Sequence, residues 1–314
     1  MQDSNIVSQV MKIENTNRKL ATHFALCSGL HLRYLIDLDG GAKRLSENIS
    51  TYSKKLSLLM QFINIIPFPI LNLMKLGYFA KVELNKEVET CRQNAQKKHW
   101  NMIVGTYDEK QKIVLQCFNA SENADFIKIG NAATEKEMNA EISFLQQKRV
   151  YSTFDIPQLL GSISRADGAT FNIQITKEFV GNKVEPVLTQ EIVEIYKELS
   201  RDKKNGLEFS HGDFAPWNLK RNGDKYTLFD WEHCGYRMPG FDLMHYATIV
   251  QKVLNNKELS EAFDEGLKNI HQLMPSFSIE KEGFLKEFEK LRTQIRRVEN
   301  MRLQLMRLTN RRKN

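Results

Sequence analysis

From residue 100 onward the chain is written in short apolar runs broken by polar turns. Asn101–Val104 and Lys112–Phe118 flank the polar stretch Gly105-Thr106-Tyr107-Asp108-Glu109-Lys110, which predicts a β-hairpin, and Asp125–Ile129 predicts a third strand. Thr134 then stands three residues before Glu137, the spacing of a capping box. Met138, Ile142 and Leu145 follow at helical spacing, so a helix is expected over 134–147. A further strand, Phe171–Thr176, runs into Lys177-Glu178-Phe179-Val180-Gly181, where the glycine marks a hinge. Beyond it Thr189 heads a helix with Ile192, Ile195, Tyr196 and Leu199 on one face, and helices dominate after Phe241. The first 97 residues read instead as a helical, partly amphipathic extension, broken at Pro67-Phe68-Pro69. Near the other end, Phe284, Phe288, Leu291, Ile295 and Val298 alternate spacings of four and three. This stripe is expected to pack on its own domain, with a short coiled-coil seam as the alternative.

Composition narrows the class. With 314 residues, 41% hydrophobic and 26% charged, the chain is globular and long enough for one large core or two lobes. Its net charge of +7 falls entirely in Lys281–Asn314, which holds eleven Lys/Arg against four Asp/Glu; the other 280 residues carry 34 of each sign. A general polyanion-binding surface, and with it a nucleic-acid partner, is therefore not expected. The basic end (Arg302, Arg307, Arg311, Arg312, Lys313) suits peripheral contact with an anionic membrane as well as it suits solvent. Cys27, Cys91, Cys117 and Cys234 form no CxxC pair, which argues for reduced thiols and against zinc or a disulfide framework. The N-terminus lacks a signal-peptide pattern, and the apolar stretch Leu56–Phe79 is interrupted by Gln61, Asn64, Asn72, Lys75 and two prolines. A cytoplasmic protein is expected, peripheral at the inner membrane face if the basic end binds there.

The chemistry concentrates between His211 and Glu232. His211-Gly212-Asp213-Phe214-Ala215-Pro216-Trp217-Asn218 is followed by Asn222-Gly223 and then by Phe229-Asp230-Trp231-Glu232. Asn222-Gly223 is a preferred tight-turn dipeptide; folding a hairpin there carries Asn218 toward Asp230, with Asp213 on the loop just ahead. Phosphoryl transfer needs such a set. Magnesium takes oxygen ligands and neutralises phosphate charge, while a separate carboxylate orients the attacking hydroxyl and accepts its proton. Asp-x-x-x-x-Asn is the spacing of the kinase catalytic loop. Asp213 is accordingly expected as the base, with Asn218 and Asp230 as metal ligands.

These residues resemble the aminoglycoside phosphotransferase and choline kinase group, whose motifs are His-Gly-Asp with Asn five residues on, then Asp-Trp-Glu. The resemblance spans residues 100–255 and implies an α+β fold, protein-kinase-like and bilobal. The expected parts are a helical extension (1–97), a β-rich small lobe (98–180) and a helical large lobe ending in a basic helix (181–314). It implies ATP and Mg2+ as cofactors, with Lys128 contacting the nucleotide phosphates and Glu141 holding Lys128. Glu137 is the less favoured choice, because capping already explains it. Gly105 and Thr106 would face phosphate with their backbone, Glu178 and Val180 would meet adenine at the hinge, and Asp242 would brace the catalytic loop. His211 is expected to organise that loop; His233 and His245 are expected to be structural. Gly212, where protein kinases carry Arg, and Trp231-Glu232, where they carry Phe-Gly, favour a constitutively assembled small-molecule kinase. The implied function is transfer of the ATP γ-phosphate to a hydroxyl, with a sugar or cell-envelope glycan precursor as first candidate. A nucleotide-binding pseudokinase scaffold is the alternative, motivated by the poor glycine-rich loop. ATP against GTP, the acceptor and the oligomeric state stay open at this point.

Overall fold

The computed structural model describes residues 6–28, 31–48, 65–105, 110–119, 124–177 and 181–295. Thr106, Glu178, Val180 and the basic end beyond 295 lie outside the described residues. Backbone contacts divide the chain into two compact units: one holds the described residues of 1–138 and 159–178, the other those of 139–158 and 179–296.

The first unit is built on one sheet of nine strands. In chain order they are β1 (Met11–Asn15), β2 (His23–Ser28), β3 (His31–Asp37), β4 (Gly77–Leu84), β5 (His99–Val104), β6 (Lys112–Phe118), β7 (Asp125–Gly130), β9 (Leu159–Ile163) and β10 (Asn172–Lys177), with β8 belonging to the second unit. The sheet order is β1-β4-β2-β3-β5-β6-β7-β10-β9, and every neighbouring pair is antiparallel. Alternation along the strands divides the apolar residues between two clusters: Ala25 and Leu35 join one, while Phe24, Leu26 and Ile36 join the other. Four helices accompany the sheet: α1 (Ile6–Val10), α2 (Gly41–Asn48), α3 (Phe68–Leu73) and α4 (Lys86–Asn94). On α4 the Asn85 side chain accepts the Val88 N–H, acids fill the first turn and Arg92 the last, which satisfies the helix ends and complements its dipole.

The expected helical extension over residues 1–97 is corrected here. That stretch supplies β1 to β4, and β3 pairs directly with β5, so it continues the same sheet rather than preceding it. Met11 lies opposite Leu84, seventy-three residues away, so these strands are stabilised by distant partners that no local window contains. The Pro67-Phe68-Pro69 break does mark a boundary: Pro67 heads α3 and Pro69 occupies its first turn, where a missing N–H costs nothing.

The predicted hairpin and third strand emerge as β5, β6 and β7. Helix α5 (Glu135–Gln146) also forms, but its capping differs. A short 3₁₀ turn, Ala132–Thr134, precedes it, and Asn131 accepts the Ala133 N–H. Thr134 donates instead to the Asn131 carbonyl, and Glu137 bridges Lys110 and Lys112. Glu137 is thus explained by an ion pair rather than by a capping box.

In the second unit α6 (Gln190–Leu199) buries the expected face of Ile192, Ile195, Tyr196 and Leu199. Helix α7 (Phe241–Val253) is buried along most of its length and packs on α8 (Leu259–Leu273). A Cβ on Gly266 of α8 would meet the Ala247 backbone at 3.1 Å, so glycine permits the close approach. Phe284 and Phe288 of α9 (Lys281–Ile295) pack on Phe241, Phe263 and His245. The C-terminal stripe therefore packs on its own unit as far as Leu291; the side chains of Ile295 and Val298 lie outside the described residues. Two small sheets complete the unit: β11-β14-β15-β8 (Asn182–Lys183, Leu219–Asn222, Lys225–Leu228, Phe154–Asp155) and β12-β13-β16 (Lys203–Lys204, Leu207–Ser210, Gly235–Arg237).

Candidate active site

The site begins where β13 ends. Gly212 takes φ +85°, and a Cβ there would lie 2.2 Å from the His233 carbonyl oxygen, so only glycine lets the chain turn at this point. The turn is pinned by Asp242 in the first turn of α7. Its Oδ1 accepts from Ser210 Oγ (2.7 Å) and Gly212 N–H (3.0 Å), and its Oδ2 accepts from His211 N–H (2.7 Å). His211 is fully buried, and burial pushes its pKa down to about 3. Its Nε2 donates to the Phe229 carbonyl (3.0 Å) and its Nδ1 accepts the Asp213 N–H (3.2 Å), which defines the neutral tautomer. His211 is an organiser of the loop, not a carrier of protons.

Asn218 closes the loop. Its Nδ2 donates to the Asp213 carbonyl (2.8 Å) and to the Asp213 carboxylate (2.9 Å). Both partners are acceptors, so the amide orientation is fixed by chemistry, with Nδ2 toward Asp213 and Oδ1 as the atom not used in these two bonds. The β14–β15 hairpin then brings the chain back, pairing Leu219 with Leu228, and Phe229 N–H reaches the Asn218 carbonyl (3.1 Å). The turn sits one residue later than Asn222-Gly223 suggests. Asn222 pairs with Lys225, leaving Gly223 (φ +61°) and Asp224 as the central pair. Asp230 at the hairpin end adopts a left-handed backbone (φ 71°, ψ 60°), a strained state for a non-glycine residue. One carboxylate oxygen from each of Asp230, Glu141 and Glu232 lies within 4.8 Å of the others, a group that sequence reading did not assemble because α5 supplies Glu141.

Trp231 holds this end rigid. It is fully buried, stacks on Phe144 at 4.0 Å, donates Nε1–H to the Leu228 carbonyl and sends its backbone N–H to Glu141 Oε1 (3.2 Å). Glu141 is thus attached to the Asp-Trp-Glu segment by a hydrogen bond. Lys128 and Gly105 belong to the first unit. Lys128 sits on β7 between Val114 and Gln174, half-buried and flanked by the buried Ile127 and Ile129. Gly105 donates its N–H to the Lys112 carbonyl, which a Cβ would approach to 2.8 Å.

Burial pushes the Asp213 carboxyl up to about 6; Asp230 and Glu232 add to the rise, and His233 and the Asn218 hydrogen bond oppose it. His245, expected to be only structural, has a defined place here. Its Nδ1 lies 3.0 Å from the Phe214 carbonyl, to which it must donate, so Nε2 faces Asp213 Oδ1 at 3.7 Å. A proton on either group relieves the pair. The signal was present in the sequence: His245 follows Asp242 by three residues, one turn along the same helix. Buried, prearranged carboxylate and amide oxygens of this kind can hold a hard cation and accept a proton from a nearby hydroxyl.

Residues 155–279 match the phosphotransferase enzyme family. The phosphotransferase match contains Asp213, Asn218, Asp230, Asp242 and His245, and bears out the resemblance read from His211–Glu232. No curated protein matches the chain. Among solved structures it is similar to a thermostable mutant of aminoglycoside phosphotransferase APH(4)-Ia in complex with ADP and hygromycin B (6% identity, 69% of this chain and 92% of that one, TM-score 0.48). It is also similar to the amicoumacin kinase hAmiN in complex with AMP-PNP, Ca2+ and Ami (14%, 66% and 83%, 0.39). A third is a putative fructosamine-3-kinase from Haemophilus somnus (8%, 66% and 96%, 0.37).

Proposed function

We propose that this chain is an ATP- and magnesium-dependent phosphotransferase that moves the γ-phosphate to a hydroxyl of a small molecule. One observation carries the reading: the Asn218 amide nitrogen is committed to Asp213, which holds the base carboxylate in place and leaves the amide oxygen to serve as a ligand. Asp213 is the base. With its pKa pushed up to about 6 it is ionised at neutral pH and more basic than an exposed aspartate. Asn218 Oδ1 and an Asp230 oxygen fit a hard divalent cation, which when bound would neutralise charge on the phosphates. Lys128 is assigned to the nucleotide phosphates, Gly105 and Thr106 to backbone contacts with them, and Glu178 and Val180 to adenine. The acceptor we infer is a sugar or glycan precursor. Support for it comes from outside the site, in the basic segment Lys281–Asn314, which suits work at an anionic membrane face where envelope glycans are assembled.

The test is magnesium-dependent ADP release from ATP against a panel of hydroxyl acceptors (sugars, aminoglycosides, choline), with wild type and Asp213→Asn. Acceptor-dependent turnover lost in the variant is the expected result. Tight ATP binding without transfer to any acceptor would make the protein a nucleotide-binding scaffold instead.

A further inference from the structure

Two side chains face the two oxygens of the Asp213 carboxylate. Asn218 Nδ2 donates to Oδ2 at 2.9 Å, and His245 Nε2 lies 3.7 Å from Oδ1. His245 is held independently of that approach. Its Nδ1 donates to the Phe214 carbonyl at 3.0 Å, and its ring centre lies 5.8 Å from that of Phe241 and 5.1 Å from that of Phe288. A carbonyl only accepts, so the proton of the neutral ring sits on Nδ1, and Nε2 presents a lone pair toward Oδ1. While Asp213 is ionised, both atoms are acceptors and gain nothing from each other. Once Oδ1 carries a proton, the same two atoms are donor and acceptor, and a small approach completes an O–H···N hydrogen bond. Both residues are buried, so water competes little for that bond. An interaction that forms only as the proton arrives lowers the barrier instead of tightening substrate binding.

We propose that His245 is a positioning residue for the base, receiving the hydrogen bond of Asp213 when that carboxyl holds the proton of the acceptor hydroxyl. The inference rests on the phosphotransferase reading. In the step, the acceptor oxygen bonds the γ-phosphorus as its O–H bond breaks, and the proton passes to Asp213 Oδ1. ADP leaves with the electron pair of the broken P–O bond. His245 stays neutral throughout, and solvent finally takes the proton from Asp213.

The test compares wild type with His245→Asn and His245→Gln in magnesium-dependent phosphotransfer, with melting temperature and ATP affinity recorded for each. Asparagine can keep the bond to the Phe214 carbonyl but offers nothing to Asp213. Glutamine gives up the Phe214 bond and places an amide oxygen, an acceptor, near the Nε2 position. The expected result is a kcat lowered by about tenfold or more in His245→Asn at unchanged KM for ATP, and partly recovered in His245→Gln. A merely structural histidine would give the opposite ranking. The proposal is overturned if His245→Asn keeps kcat within about twofold of wild type, or if His245→Gln is no faster than His245→Asn. A wild type without acceptor-dependent turnover removes the phosphotransferase reading and this inference with it, whereas fully active variants remove the inference alone. Nitrogen NMR of the histidine rings in wild type needs no variant to fold. Nδ1 of His245 should carry the proton, and a proton on Nε2 of the resting protein overturns the proposal.

Discussion

Asp242→Ala removes the acceptor for three hydrogen bonds at once, and all three donors lie in the turn that carries Asp213. Asp242 is almost completely buried, as are Ser210, His211 and Gly212, so water cannot readily replace it. A buried donor left without a partner costs about 1–3 kcal/mol. The His211 N–H and the Ser210 hydroxyl lose their acceptor while the Gly212 N–H keeps Ser210 Oγ (3.0 Å); with hydroxyl rotation and relief of the buried charge, the expected loss is roughly 2–4 kcal/mol. Asp242→Asn is milder. Its amide oxygen can stay at the Oδ1 position, keeping Ser210 and Gly212, while the NH2 group faces the His211 N–H and forfeits one bond. That should cost about 1–3 kcal/mol. The assay is urea unfolding followed by tryptophan fluorescence, to which Trp217 and Trp231 contribute from this unit. The brace reasoning is refuted if Asp242→Ala lies within about 1 kcal/mol of wild type, or if it is no worse than Asp242→Asn.

Three further outcomes follow from the same geometry. Asp213→Asn should lower phosphotransfer by at least about 10²-fold yet stabilise the fold. The folded pKa of about 6 lies above the ordinary 3.8, so the favourable contribution is complete below that ordinary value and is lost as pH rises through 6. A neutral asparagine keeps that contribution, and the variant should gain about 1–3 kcal/mol at pH 8 and nothing below pH 4; a pH-independent difference in urea midpoint would contradict this. Asp230→Ala should remove the magnesium dependence of ATP affinity in calorimetry, and unchanged affinity with and without magnesium would end its role as a ligand. Trp231→Ala loses the Phe144 stack and the Leu228 hydrogen bond, at a cost of about 3–5 kcal/mol of stability. Trp231→Phe should recover much of it, and equal melting temperatures for the two variants would show that the stack does not hold the segment.

The sequence alone determined the His211–Asn218 loop and the hairpin after it, because those features are local. A glycine that must take positive φ, a tight turn and fixed offsets from Asp213 to Asn218 to Asp230 need no distant partner to be recognised. Helix α6 and the C-terminal stripe were legible for the same reason, since helical periodicity is written within one window. Tertiary structure decided the rest. Strands β1 to β4 joined a sheet whose pairings span up to seventy-three positions, so their strand character came from partners rather than from propensity. Glu141 approached Asp230 and Glu232 only through the packing of α5, and His245 reached Asp213 only because α7 is pinned beneath the loop by Asp242. Local geometry can be read along the chain, but the distance between two side chains ninety residues apart exists only once the core between them has packed.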